Sequence, residues 1–478
     1  MTSVAVVGGG ISGLAAARRL LLAGLDVTVL EQGPRWGGKL DRTLVEDLAL
    51  DTGAESVLAR RPEALALIED LGLAGERVHP TAAKPQLLVG GRLHAMPPSL
   101  QGVPVDLDAL ADLLSPAALA FARTEPDRPG PPLAGDVGVG AHVEERFGAE
   151  VTDRLLEPLL GGVYAGRSRD LSFAAVMPDL FARARTGGSL LGHARSALRP
   201  SPGSPVFAGL VGGVSSLVRA LVADLAGRGA DLRTGTVVRG LSRVDRGWRL
   251  ELVPGAATLD VDGVVLAAPA GPSGRLAVGL LAGAEALAAV PYASVAVVTL
   301  VVRGLDTERS GLLIPPGELP TVKALTHSSV KWAWVREQAE RTWGPGVAVV
   351  RASVGRAGEA EVLQLPDEPL LDRTVAEVGT LPGWHGVQVL HRRLTRWGGA
   401  LPQYRVGHRD LVADLRTQLA AVPGLALAGA ALDGVGIAAC LASADTAATK
   451  IIGDLGPGDH DRDRHDLSTA ARRQESQR

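Results

Sequence analysis

Apolar positions recur along this chain in two rhythms, and the elements can be placed where the rhythm changes. Ser3–Val7 is a short β-branched run, Ile11–Leu22 is alanine-rich with helical spacing, and Asp26–Leu30 alternates and ends in Glu31. A period of two on either side of a helical period predicts a strand–helix–strand start. Val139–Leu160 carries a helical pattern that stops at the Gly161-Gly162 pair. Gly209–Ala226 opens with a glycine turn before a second helical stretch. Ala230–Gly240, Trp248–Leu252, Val261–Ala267, Ser294–Val302, Val347–Val354 and Leu425–Ala428 predict strands, and Ala438–Ile452 a closing helix. Two breaker-rich segments, Arg123–Gly135 with four prolines and Leu198–Pro205, predict surface loops.

Strands and helices interleave along the chain, which predicts an α/β fold whose nucleotide-binding sheet draws strands from distant segments. At 478 residues the chain exceeds one hydrophobic core and predicts two or three domains. Charge changes the picture by exclusion: 49 Lys+Arg against 52 Asp+Glu gives a net −3, which is no footprint for nucleic acid. The single cysteine, Cys440, excludes an intrachain disulfide, a CxxC redox pair and a thiolate metal site. Any redox chemistry must therefore come from a cofactor. The first residues, MTSVAVVGGG, lack the basic and small-residue pattern of a signal peptide. No apolar window is long enough to predict a transmembrane helix, while an amphipathic surface contact stays open.

Between the first strand and the first helix lies Val6–Gly13, VVGGGISG, in which Gly8, Gly10 and Gly13 form GxGxxG. The first glycine permits a tight turn, the second a close approach to a pyrophosphate, and the third close helix–strand packing. The helix start adds unpaired N–H groups and a positive dipole end. Glu31, 23 residues after Gly8, is placed to accept hydrogen bonds from the adenosine ribose. Two later segments favour FAD over NAD. Arg35-Trp36-Gly37-Gly38-Lys39 resembles the basic, glycine-bearing extension found in flavin-containing amine oxidases, and Asp51-Thr52-Gly53-Ala54-Glu55 resembles their segment passing the flavin. Near the other end, Gly429–Ile437 (GAALDGVGI) resembles their second flavin motif, with a helix start aimed at the isoalloxazine.

Within that superfamily, five blocks resemble the protoporphyrinogen and coproporphyrinogen III oxidase family. They are Ala54–Leu67, Glu157–Gly166, Gly209–Leu221, Arg396–His408 and Ala428–Ser443. They stand in the family order, cover the chain to about Ile452, and are closest to the coproporphyrinogen III oxidases of Gram-positive and actinobacterial heme synthesis. Protoporphyrinogen IX is the alternative substrate, and an amine oxidase of the same fold the more distant one. The resemblance implies a Rossmann-like FAD-binding domain with a mixed-sheet substrate domain and a helical insert. The expected boundaries are 1–80, 205–275 and 420–455 for the discontinuous FAD domain, 276–419 for the substrate sheet, 92–204 for the insert capping the cavity, and 456–478 for a disordered tail. Carried over by position, the FAD contacts would be Gly8, Gly9, Gly10, Ile11, Ser12, Gly13, Glu31, Gln32, Lys39, Gly53, Ala54, Glu55, Ser56, Val238, Trp397, Ala430, Val435, Gly436 and Ile437.

The substrate class implies the chemistry. A porphyrinogen loses six electrons and six protons on becoming a porphyrin, so a two-electron cofactor needs three cycles, with dioxygen as acceptor and hydrogen peroxide as product. No catalytic side chain and no metal are expected, because the protein mainly positions the ring against the flavin. Propionates call for cations around an apolar slot. Arg61 and Lys331 are the leading candidates, with Arg60, Arg92 and Arg405 behind them, and Tyr164 is a candidate for the cavity wall. Val330 stands where a second basic residue is expected beside Lys331. The resemblance further implies a cytoplasmic monomer or homodimer, with peripheral membrane contact and hand-over to a ferrochelatase as open associations.

Overall fold

The computed structural model describes residues 2–198, 205–253, 255 and 257–456. The tail expected over 456–478 lies outside the described residues from 457 onward, as does most of the loop expected over Leu198–Pro205. Strands Ser3–Val7 and Asp26–Leu30 and helix Ile11–Leu22 occur where the apolar pattern places them. They belong to a five-stranded parallel sheet in the order Asp231–Arg233, Asp26–Leu30, Ser3–Val7, Gly263–Leu266, Leu425–Leu427. Strands Ser3–Val7, Gly263–Leu266 and Leu425–Leu427 are apolar on both faces because both faces are covered. Val4, Val6, Val27 and Val29 pack against helices Ile11–Leu22, Ser216–Gly227 and Ile437–Leu455. Ala5, Val7, Val264 and Leu266 pack on the other side, against Trp248 and Leu250 of a three-stranded antiparallel sheet.

Two predicted strands are split. Ala230–Gly240 divides into Asp231–Arg233, in the parallel sheet, and Val237–Arg243, in the antiparallel one. Gly235, at a φ of 64°, marks the turn between them. Val261–Ala267 is likewise shared between strands Thr258–Val261 and Gly263–Leu266.

A seven-stranded mixed sheet follows the order Gln388–Pro402, Tyr292–Arg303, Val347–Val354, Val322–His327, Gly311–Leu313, Pro85–Val89, Arg92–Ala95. Alternation along Tyr292–Arg303 sends Ala296, Val298, Leu300 and Val302 into one core and turns Val295 and Val301 to the other side. A helical unit with its own core, centred on Phe147, Leu155, Phe173 and Tyr404, stands over that other side. No helix among the described residues is long and apolar enough to cross a membrane.

The predicted helix Val139–Leu160 is not continuous. It breaks at Gly148 (φ 93°), passes through a π-turn over Thr152–Leu156, and resumes as Glu157–Tyr164. Pro158 lacks an N–H and cannot close the regular bond to the carbonyl four residues back, so the turn before it widens. The helix also runs through Gly161-Gly162 to Tyr164, where Gln403 Nε2 donates to the Tyr164 carbonyl at 2.8 Å and replaces the missing terminal bond.

Arg123–Gly135 is more than a surface loop. Glu125 is wholly buried and accepts from Arg146 Nε at 3.0 Å, Ser189 Oγ at 2.7 Å and the Leu190 N–H at 2.7 Å. One carboxylate thus ties the proline-rich segment to helices Val139–Phe147 and Leu190–Ala197. Removing one member of a buried ion pair strands the other, at a cost of about 3–5 kcal/mol. Arg146→Met is therefore expected to lower the thermal midpoint followed by circular dichroism, and adding Glu125→Leu to recover part of the loss.

Candidate functional site: a glycine-lined dinucleotide cradle

The parallel sheet reverses its strand order between Ser3–Val7 and Gly263–Leu266, and ligands bind outside the carboxyl ends of strands at such a point. Gly8 leaves the first strand at a φ of 116°, and a Cβ on it would stand 2.7 Å from the Ala267 carbonyl carbon. A Cβ on Gly13 would overlap the Gly8 carbonyl oxygen, so helix and loop meet with no room for a side chain. Gly10 caps the helix with backbone alone, leaving the N–H groups of Ile11, Ser12 and Gly13 without helical partners. In contrast to its neighbours, a Cβ on Gly10 would meet nothing within 4 Å. The loop is closed against itself and open on the side where a phosphate would approach.

Glu31 organises the second edge. Its Oε2 accepts the Gly9 N–H at 2.8 Å and its Oε1 the Gly33 N–H at 2.7 Å. Gln32 beside it is exposed. The Thr236 N–H donates to the Glu31 carbonyl at 2.9 Å, which brings the strand carrying the half-buried Val238 alongside. The Gly37 N–H donates to the Gly9 carbonyl at 2.8 Å, folding the RWGGK segment onto the first loop. Burial pushes the Lys39 ammonium down to about 8, and it lies 5.1 Å from the Tyr292 ring with no ion-pair partner among the described residues. A Cβ on Gly53 would overlap the Lys39 carbonyl, and Trp397 Nε1 donates to the Thr52 carbonyl at 3.0 Å. Ala54, through its N–H, and the partly buried Ser56 continue this wall.

Helix Ile437–Leu455 supplies the opposite end. Gly436 is exposed and caps it without a side chain, again with open space where a Cβ would sit. Val435 packs against the helical unit, and the Ala430 carbonyl accepts the Tyr404 hydroxyl. Burial raises the Cys440 thiol, which stands beside the Ser12 hydroxyl and near Lys39. Residues near the two ends of the chain thus meet at one place.

The candidate substrate residues do not converge in the same way. Tyr164 is half-buried, its hydroxyl pushed up to about 12 by burial, and its ring lies edge-on to Tyr404 at 5.8 Å. Arg61 is exposed and paired with Glu63 at 2.6 Å. Arg60, Arg92 and Arg405 are exposed. Lys331 is paired with Glu55 at 2.5 Å and lies 5.3 Å from the Trp332 ring. Burial alone would raise the Glu55 carboxyl, but Lys331 and Arg351, each at 2.5 Å, hold it at about 2. Glu55 therefore spends its charge on a strap between the cradle and the mixed sheet, with Arg351 also donating to the Gly53 carbonyl at 2.7 Å. Sequence reasoning missed Arg351, Lys323 and Arg356. The signal was present: each interrupts or directly follows an apolar strand pattern, VAVVRASVGR or TVKALTH.

A model of flavin-containing amine oxidoreductases matches residues 11–452. A coproporphyrinogen III oxidase of Mycobacterium bovis is 37% identical over 459 residues, covering 94% of this chain and 97% of the relative. A protoporphyrinogen oxidase of Macaca fascicularis is 31% identical, with 94% and 98% covered. The crystal structure of an Exiguobacterium protein, provisionally called a protoporphyrinogen oxidase, superposes with a TM-score of 0.82 at 29% identity, covering 94% of this chain and 98% of that one. A putrescine oxidase bound to putrescine shares the fold, with a TM-score of 0.66 at 16% identity.

The cradle makes a sharp distinction between two glycines. Gly10→Ala fills open space at the helix start, so the protein is expected to keep its thermal midpoint without cofactor but to purify with little flavin, read from absorbance near 450 nm against 280 nm. Gly13→Ala drives a methyl into the Gly8 carbonyl and is expected to lower both.

Proposed function

This chain belongs to the family of flavin-containing amine oxidoreductases, and on that footing we propose that it oxidises coproporphyrinogen III to coproporphyrin III in heme biosynthesis. The observation that carries the reading is similarity along nearly the whole chain to coproporphyrinogen III oxidases, at 37% identity. The disposition of the tyrosines supports it. An amine held at a flavin calls for facing aromatic rings, whereas here Tyr404 is buried, stacked 4.2 Å from His408 and bonded to the Ala430 carbonyl. Tyr292 accepts the Ala270 N–H at 2.9 Å beneath Lys39. Protoporphyrinogen IX is the second reading, favoured by the Macaca relative.

The enzyme is a flavin-dependent oxidoreductase, and FAD is its cofactor. The open N–H groups of Ile11–Gly13, the cradle over Gly10 and the uncompensated Lys39 fit a dinucleotide diphosphate. In this reading Glu31, held by the Gly9 and Gly33 N–H groups at the end of the second strand, would receive the ribose hydroxyls. A flavin ring seated by this cradle would face the positive dipole end at the start of helix Ile437–Leu455. Bound FAD supplies a two-electron acceptor, so the six-electron oxidation takes three rounds and reduces three dioxygen molecules to peroxide. Trp397, fixed through its indole N–H, and Gly53, packed against the Lys39 carbonyl, would give the ring a rigid wall. No side-chain nucleophile enters the scheme; the residues bind, orient and exclude water.

Coproporphyrinogen III added without oxygen is expected to bleach the yellow protein, while benzylamine and spermine leave it coloured. In air, three peroxides should form per coproporphyrin III, counted by a coupled peroxidase assay. A protein that keeps its colour with every porphyrinogen would remove the reading.

A further inference from the structure

Lys323 sits where a lysine is costly. It is 6% exposed, in strand Val322–His327 of the mixed sheet, and its Nζ has no hydrogen-bond or ion-pair partner among the described residues. Burial pushes its ammonium down to about 7, with Arg356 adding to the effect and Glu359 opposing it. Arg356 is itself 7% exposed and donates to the Ile314 carbonyl at 2.8 Å. The nearby carboxylate, Glu359, is already shared by Arg356 at 3.5 Å and Arg167 at 3.9 Å. Three cations therefore surround one acid, and the most deeply buried of them, Lys323, is left without a counter-charge. Folding alone does not favour such an arrangement, since buried charges are ordinarily paired.

Backbone geometry sets Lys323 apart as well. Against Val347–Val354 the register shifts between Val322, opposite Val354, and Ala324, opposite Ser353, so Lys323 is the additional residue of a bulge. Bulges re-aim side chains and cluster beside active sites. Helix Glu157–Tyr164 packs on this strand. The Ala357 N–H, next to Arg356, donates to the Ala165 carbonyl at 2.7 Å, and Ala357 and Trp397 both pack against the cluster that contains Ala165 and Val295. Lys323 and Arg356 thus lie where the helical unit meets the sheet, with Arg356 one residue from the small apolar cluster that Trp397 of the cradle also packs against.

We propose that Lys323, flanked by Arg356, receives a peripheral carboxylate of the substrate and biases the enzyme toward a macrocycle with four propionates over one with two. This rests on the porphyrinogen reading given above. The carboxylate supplies the counter-charge that the fold withholds, and the burial that makes the free lysine unfavourable strengthens the ion pair once formed.

The test compares Lys323→Met and Lys323→Arg with the parent protein, flavin-loaded, on coproporphyrinogen III and protoporphyrinogen IX. It adds a fluorescence titration with the product coproporphyrin III. Loss of one buried charge-assisted contact is expected to raise KM for coproporphyrinogen III about tenfold and weaken product binding comparably. The ratio of kcat/KM between the two substrates should fall by a similar factor, and arginine should restore most of it. Removing an uncompensated charge should leave the thermal midpoint of the Met variant equal or higher. Unchanged KM and product affinity, an equal loss on both substrates, or a lowered midpoint with no shift in the substrate ratio would each overturn the assignment. If the parent protein oxidises neither porphyrinogen, the functional reading fails first and this inference with it.

Discussion

The structure depends on backbone being allowed to touch backbone at the mouth of the parallel sheet. Two helices, one following Gly10 and one following Gly436, bring their starts to the same place from opposite ends of the chain. A side chain on Gly8, Gly13 or Gly53 would collide with a carbonyl group of Ala267, Gly8 or Lys39, respectively. Those contacts draw the walls together, whereas Gly10 and Gly436 leave room between them. One residue type therefore performs two opposite tasks within a few ångströms: it closes the protein on itself and keeps a slot open for phosphate and ring.

Buried charge is handled in two contrasting ways. Glu125 and Glu55 are both enclosed, and each is surrounded by protein donors, Arg146 with backbone N–H groups in one case and Lys331 with Arg351 in the other. These pairs hold segments distant in sequence at fixed relative positions, and breaking one would strand a charge. Lys39 and Lys323 are treated differently. Each is buried enough to lower its ammonium well below the usual lysine range, and neither has an acidic partner among the described residues. Two buried cations are thus left without an acidic partner, one at the cradle and one between sheet and helical unit, and they are assigned to ligands in the proposals above.

The parts legible in sequence were those set by local periodicity and close approach. The opening strand, helix and second strand have the bounds that the apolar pattern gives, because alternation, helical spacing and glycine placement agree there. Helix Val139–Leu160 was misread because apolar spacing cannot register a π-turn forced by Pro158, nor the Gln403 cap that carries the helix past two glycines. Arg123–Gly135 read as surface because prolines suggest turns, while the burial of Glu125 depends on Arg146, over twenty residues away. Arg61 stands out as a cation within a family-like block, and Lys331 as one beside Trp332. Sequence could not show that each already has a carboxylate nearby. Charge is visible in sequence; whether it is spent is a three-dimensional property.

Three irregularities of the fold lie close together, away from the parallel sheet. The π-turn over Thr152–Leu156, the left-handed Ala165 that ends the next helix, and the bulge at Lys323 all border the contact between the helical unit and the mixed sheet. The parallel sheet of the cradle is regular, with tight glycine turns and two uninterrupted helices at its mouth. A putrescine oxidase keeps this architecture at 16% identity, so the fold alone does not select a substrate. The proposed selection by Lys323 falls among the irregularities, where the helical unit meets the mixed sheet. Such features persist only when surrounding packing or a ligand offsets their cost. The cofactor provides the redox chemistry, and the choice of substrate is assigned, as proposed above, to the face beside Tyr164 and Lys323.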